Sequence, residues 1–339
     1  MVTQSNSKRP MCPSCSKPAR LCLCTRIKTP NLENSVAIIV LQHSQEKKHP
    51  LNSARIAQLG FKNFNLVSIT DIHFEAQFDI RLLEESDRHD LVSSEVCNHG
   101  FNLISGCPED SDCGRFLEDS DEKCSNILDG RKPVLQPEQC LGHDESVLSF
   151  TLGKKAATSC IKSCSMPQLQ LKKSDLEQIL GSLEAIDALK NGFVVKKLQK
   201  RQLNGGLEYE EFKEFEIVVP PGSILLFPNE RSVGVEKIDF KVKNLIVLDG
   251  TWGKAKRMYK ENPWLKVLPH LKLDLEKPSL YGEVRVQPRA GCLSTIESIV
   301  YAMKAVGEDS EGLDDLLDVF QSMVQDQRQC KADKLSKVS

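Results

Sequence analysis

One stretch of the 339-residue chain constrains its fold more than any other. Leu245-Ile246-Val247-Leu248 runs into Asp249-Gly250-Thr251-Trp252, and Gly253-Lys254-Ala255-Lys256-Arg257-Met258-Tyr259 follows. A short continuous apolar run bounded by a turn reads as a buried strand, and the basic segment after it reads as a helix. That order puts a carboxylate, a flexible glycine backbone and a set of N–H groups at the carboxyl end of a strand, where open α/β sheets bind ligands.

A chain of this length buries a sizeable core and holds one large domain or two. Its apolar runs fall short of the roughly 18 residues that a membrane span requires, and the polar N-terminus does not read as a signal peptide. The 13 cysteines then read as reduced thiols or metal ligands rather than disulfides. The expected location is inside the cell, cytoplasmic or nuclear. The net charge of −2 conceals a segregation. Residues 1–60 carry nine Lys and Arg against two acids, residues 251–290 nine against four, and residues 71–145 six against nineteen. Basic segments flanking an acidic middle predict a polyanionic partner contacted by the basic ones.

Hydrophobic patterning predicts a β-α-β opening: a strand at 36–41, a helix around 52–59 and a strand at 64–69. From Asp71 to Gln170 the periodicity weakens and Ser, Asp, Glu and Cys dominate, which reads as an acidic, partly disordered insertion. Its cysteines, Cys97, Cys107, Cys113, Cys124, Cys140, Cys160 and Cys164, have no metal-site spacing. A capping box at Ser174 to Glu177 opens a predicted helix stopped by Gly192. Strands are predicted at 193–195, 215–219, 224–227, 245–248 and 281–286. A second capping box, Ser294 to Glu297, opens another helix, and Leu313, Leu316, Leu317, Phe320 and Val324 mark a last amphipathic one. The alternation predicts an α/β fold with a mostly parallel sheet. The expected division is a zinc-binding module at 1–30, a core of 31–74 with 190–327, and an insertion of 75–189 that ends in a helix.

Five sites carry candidate chemistry. Cys12, Cys15, Cys22 and Cys24 put four thiolates within thirteen residues, which suits a tetrahedral structural Zn²⁺. A redox pair is the rival, but Pro13 and Pro18 oppose the helix that such a pair opens. Lys8, Arg9, Lys17, Arg20 and Arg26 around the module suit phosphate docking. His43, after the first strand, is catalytic, a ligand's hydrogen-bond partner or a cap, and Arg55 suits a phosphate or carboxylate. Leu226-Phe227-Pro228 ends a strand with backbone groups that an adenine ring can meet. Asp249 is a base or an N-cap, Gly250 permits close backbone approach, Trp252 is core or ligand wall, and Lys254 and Arg257 project together. Finally Arg285, Gln287-Pro288-Arg289 and Gly291 lead to the helix N-terminus at Ser294 and Thr295, a favourable seat for an anion. There Glu297 is Ser294's capping partner or a ligand contact.

In this order the motifs resemble the DTW-domain family, named for the residues that stand here as Asp249, Thr251 and Trp252. The resemblance covers the cysteine module, Leu41-Gln42-His43 with Glu46, Leu226 to Pro228, Asp249 to Trp252, Arg285 with Gln287 to Arg289, and Ser294 to Glu297. It spans roughly residues 10–70 and 215–305. Ser44, where the family pattern has proline, and the long acidic stretch depart from it. The resemblance implies a core related to the SPOUT methyltransferases, helices on both sheet faces and a C-terminal knot. It also implies S-adenosylmethionine as donor and transfer of its 3-amino-3-carboxypropyl group to N3 of a tRNA uridine. Leu226, Phe227, Pro228, Gly250, Thr251, Trp252, Gln287, Arg289, Ser294, Thr295 and Glu297 would then surround the donor. His43, Arg55, Lys254, Arg257 and Arg285 would meet tRNA, and Asp249 would take the N3 proton. The rivals are an RNA methyltransferase with the same donor and a non-catalytic zinc-containing RNA-binding protein.

Overall fold

Strand β1 (Ala37–His43) is buried on both faces, and its alternate residues enter two different cores. Ile38 and Val40 belong to one cluster, Ile39 and Leu41 to the other, as the two-residue period of a strand requires. The computed structural model describes residues 10–84, 146–164, 176–203, 208–274, 278–284, 287, 291–308 and 311–336. All of them lie in one contact unit, Met1–His99 with Ser146–Ser339.

Around β1 the first sheet is wholly parallel. Helix α1 (Ala54–Gly60) leads to β2 (Phe64–Ile69), and β8 (Ser223–Leu226), β9 (Asn244–Asp249) and β10 (His270–Leu271) complete the order β10-β8-β9-β1-β2. Register sets Gln42 opposite Asp249. Unbroken runs such as Leu245 to Leu248 follow from cover on both faces. On one side lie α1, α5 (Thr295–Ala305) and α6 (Glu311–Leu335), with Cys15 and Leu23 of the cysteine module buried among them. On the other lie α4 (Trp252–Glu261), Trp264 and a second sheet.

That second sheet corrects the predicted insertion. Strands β3 (Glu75–Leu82), β4 (Ser146–Gly153), β5 (Thr158–Cys164), β6 (Phe193–Gln202) and β7 (Tyr209–Val219) pair antiparallel in the order β5-β4-β3-β6-β7. Three of the five fall inside the segment read as partly disordered. Ala76, Phe78 and Ile80 point into the core, as do Leu148, Phe150 and Leu152, with Phe78 stacked on Phe150 at 5.1 Å. The residues between them, Gln77, Asp79, Ser149 and Thr151, are polar, and in a segment rich in such residues the two-residue period was masked. Residues 85–145, and the Ser174 capping box, lie outside the described residues.

Two further expectations change. The helix foreseen up to Gly192 is two, α2 (Leu176–Leu180) and α3 (Leu183–Leu189). They break at Gly181-Ser182, where Ser182 Oγ accepts from Ala185 N and caps α3. Residues 281–283, expected to open a strand, lie in a 3-10 turn (Leu280–Glu283), which starts where the Leu280 N–H goes to the Glu297 carboxylate rather than to a strand partner. The capping box of α5 forms as foreseen, Ser294 and Glu297 each bonding the other's backbone N–H.

Candidate functional site

A cavity of about 420 Å³ opens at the carboxyl edge of the parallel sheet, within the size range of small-molecule sites. Leu226, Phe227 and Pro228 at the end of β8, and Asp249 to Trp252 at the end of β9, form two of its walls. Gln287, Ser294 and Thr295 form a third with Gly291 to Leu293, and Glu46 with Leu51 to Ser53 a fourth. Motifs widely separated in sequence thus converge, because β8, β9 and β1 are neighbours whose ends share one edge.

Asp249 sits in this wall 6 % exposed. Its Oδ2 accepts from Gln42 Nε2 at 2.8 Å, and its Oδ1 accepts from the Thr295 hydroxyl. Two donors therefore fix the plane of the carboxylate. Asp249 is not the cap of α4. That position belongs to Thr251, whose hydroxyl accepts from Lys254 N. Gly250 makes the sharp turn, and a Cβ there would lie only 3.1 Å from that of Lys254. Trp252 is partly buried against the core and faces the cavity. Phe227 stacks on Tyr259 at 4.5 Å. The Tyr259 hydroxyl lies between Asn229 Nδ2 and His270 Nε2, while His270 Nδ1 meets the Leu268 carbonyl. Burial lowers the His270 pKa below its ordinary value, with nearby Arg231 adding to the effect against the Leu268 carbonyl.

Several predicted contacts take other roles. Glu297, 1 % exposed, does not line the cavity. It accepts from Ser279 Oγ at 2.7 Å and from Ser294 N and Leu280 N, both at 2.8 Å, so it shapes the wall from behind. His43, foreseen against RNA, is buried. Its Nδ1 accepts from Gln45 N, which leaves the Nε2 proton for Asp71 Oδ1 at 3.2 Å. Arg257 bridges Asp71 at 3.0 Å and Glu261 at 2.8 Å, and Lys254 pairs with Glu46 at 2.9 Å. These cations lie at the sheet edge but are already paired. Arg55, also foreseen against RNA, donates to two backbone carbonyls instead. Arg285 and Arg289 lie outside the described residues.

Asn52, Ser53, Tyr281, Cys292 and Ser298 also line the cavity and had no signal as site residues. Gln42 and Glu46 were legible only as parts of the first-strand motif.

The four cysteine sulfurs lie within 4.8 Å of one another, with Cys12–Cys24 at 3.8 Å and Cys15–Cys22 at 3.7 Å. A tetrahedron with sulfur at about 2.3 Å has edges of about 3.8 Å, so the cluster has the geometry to hold a metal such as zinc. Backbone and side-chain hydrogen bonds from Cys15 lower the Cys12 thiol to about 6, while burial and the neighbouring thiols push Cys24 up to about 12. A divalent ion bound by the four sulfurs would displace the thiol protons.

A cavity at the strand ends of a parallel sheet, with a four-cysteine cluster packed against one face of that sheet, places the protein among α/β domains with a strand-end pocket. More narrowly, the chain belongs to the DTW-domain family, whose model matches residues 9–93 and 162–328. The match omits 94–161, so β3 and part of β5 fall within it.

A Drosophila melanogaster protein named tRNA-uridine aminocarboxypropyltransferase 2 is 39 % identical over 84 residues, 24 % of this chain and 33 % of that one. Proteins of the same name from Mus musculus and Macaca fascicularis are 27 % identical over 112 residues and 29 % over 106. These cover 31 % and 30 % of this chain, and 37 % and 35 % of the relatives. The matched segments thus span about a third of the length of the curated relatives. No solved structure matches the chain. Among the described residues no helix is long and apolar enough to cross a membrane.

Proposed function

We propose that the protein is a tRNA-uridine aminocarboxypropyltransferase with S-adenosylmethionine as donor. The observation that carries this reading is the convergence of the family's signature residues, Asp249, Thr251 and Trp252, with Leu226 to Pro228, Gln287, Ser294 and Thr295 around one cavity. Its volume and mixed lining suit a nucleoside joined to an amino acid. Leu226 to Pro228, Gly250 to Trp252, Gln287, Ser294 and Thr295 hold the donor, with Arg289 assigned by the family pattern. The donor supplies a sulfonium that already activates its carbons, so orientation is the protein's main contribution. Asp249 takes the N3 proton of uridine as the N3–carbon bond forms. The carbon–sulfur bond breaks with its electron pair on sulfur, and methylthioadenosine leaves.

The parallel sheet with its strand-end cavity supports a SPOUT-like core, and the C-terminal knot belongs to the same proposal. The four-cysteine cluster takes structural zinc. Lys254 and Arg257, at the sheet edge, face tRNA by exchanging their acidic partners for phosphates, and the family pattern adds Arg285. The cellular place is that of tRNA processing, cytoplasmic or nuclear. Nucleoside mass spectrometry of tRNA incubated with the protein and S-adenosylmethionine tests the reading. Uridine carrying the aminocarboxypropyl group is expected. A methylated nucleoside would make the protein a methyltransferase, and tRNA binding without any product would leave an RNA-binding protein.

A further inference from the structure

The four-cysteine cluster and the cavity are joined by a run of hydrogen bonds centred on Arg55. From α1, Arg55 donates through Nη1 to the Cys15 carbonyl at 2.7 Å and through Nη2 to the Lys47 carbonyl at 2.9 Å. Lys17, within the cysteine module, donates through Nζ to the Pro50 carbonyl. The two cations tie the module to the turn at 47–50. On either side of that turn, Glu46 and Leu51 to Ser53 are cavity wall.

The run continues inward. Arg55 N donates to Asn52 Oδ1 at 3.3 Å, and Gln42 Nε2 reaches that oxygen at 3.4 Å and Asp249 Oδ2 at 2.8 Å. Asn52 Nδ2 in turn holds the Glu46 carbonyl at 3.1 Å. The module is no loose appendage, since Cys15 and Leu23 are fully buried beside α1.

A metal ion on Cys15 fixes the carbonyl that anchors Arg55. Without the ion the four sulfurs lose their common centre and the anchor loosens. The wall is built of turns closed by His49 N to the Glu46 carbonyl and Asn52 N to the His49 carbonyl. Tyr281 and Lys254 hold it from the cavity side, so the module is its support from the opposite side and its loss lowers the free energy of opening. We propose that the cysteine module positions the 46–53 wall of the cavity through Arg55, so that metal loading and cavity occupancy are thermodynamically coupled. Arg55 is a positioning residue, and its guanidinium serves the wall rather than a phosphate. Coupling of this kind is reciprocal: the metal tightens the cavity's ligand by the same factor by which the ligand tightens the metal. The ligand part of this inference rests on the donor assignment above.

The test uses full-length zinc-loaded protein, Arg55→Lys and Arg55→Gln, with S-adenosylhomocysteine as a non-reacting probe. Lysine keeps the charge but cannot span two carbonyls as the guanidinium fork does. In wild type, zinc is expected to tighten the probe, and the probe to tighten zinc against a competing chelator, by one common factor of about 5- to 50-fold. In both variants, with zinc content confirmed, that factor falls towards one and amide exchange at 46–53 accelerates. Lys17→Met, which cuts the Pro50 contact, should speed exchange over the same stretch if the Arg55 variants fail to fold. Unchanged exchange at 46–53 in folded, zinc-loaded variants overturns the inference. So does a loss of tRNA affinity in Arg55→Lys with metal–probe coupling intact. The exchange measurement needs no ligand, so it decides the positioning role even if wild type fails to bind the probe, a result that would sink the donor assignment alone.

Discussion

Gln42 and Asp249 are register partners on adjacent parallel strands, and their side chains are joined, Nε2 to Oδ2 at 2.8 Å. The bond crosses from β1 to β9 at the edge where the cavity opens. It holds one carboxylate oxygen while Thr295, at the start of α5, holds the other.

Asp249→Asn separates a base from a positioning group. An asparagine can turn its oxygen to Gln42 and its amide to the Thr295 hydroxyl, so the fold should survive. The α4 cap is untouched, because Thr251 supplies it. The variant should bind donor and tRNA nearly as wild type does and lose on the order of 10²-fold in single-turnover rate. A near-wild-type rate, or one restored by raising donor concentration, would remove Asp249 from proton transfer.

Glu297 acts through packing. Replacing it with alanine strands the Ser294 and Leu280 N–H groups and the Ser279 hydroxyl at a buried site. Urea unfolding should show a loss of about 2–4 kcal/mol. Donor affinity should fall because the wall of Tyr281 and Gly291 to Thr295 loosens. A fall in donor affinity with unchanged stability would show a direct ligand contact instead.

The boundaries of the second sheet make a deletion informative. Arg81 and Ser146 are register partners in the β3–β4 pair, so a short linker can join 84 to 146 as a hairpin turn. Removing 85–145 should leave folding and donor binding intact. Removing 71–170 takes β3, β4 and β5 out of the sheet, leaves β6 with its buried Phe193 and Val195 unpaired on the β3 side and should abolish soluble expression. Loss of donor binding in a well-folded 85–145 deletion would assign that segment to the core.

His270 should make the fold acid-sensitive. Its pKa is lowered in the folded state, chiefly by burial, so below the ordinary value of about 6.5 the unfolded chain binds a proton that the folded chain resists. Stability contributed by the neutral imidazole is full above about pH 6.5 and declines as pH falls from there to the lowered folded value. The slope is at most about 1.4 kcal/mol per pH unit. Denaturation at pH 7.5 and 5.5 should show a larger difference for wild type than for His270→Gln. Equal differences would assign the acid sensitivity to other groups.

Contiguous chemistry was legible without coordinates. The buried strand Leu245 to Leu248, the α5 capping box and the clustered cysteines each depend on neighbours within a few residues, where local sterics and hydrogen bonding decide the outcome. The pattern failed at Ala76, Phe78 and Ile80 because an alternating strand whose other face is Glu75, Gln77, Asp79 and Arg81 looks, residue by residue, like a polar loop. Arg55 marks a different limit. Sequence specified a guanidinium beside a basic module but had no means to say that backbone carbonyls of Cys15 and Lys47 would occupy it. The sequence by itself determined which residues can cap, ligate or ionise, since those capacities belong to the side chain. Tertiary structure alone decided which of them meet, because the cavity exists only where parallel pairing aligns the ends of β8, β9 and β1. The order of those strands is set by long-range burial rather than by adjacency in the chain.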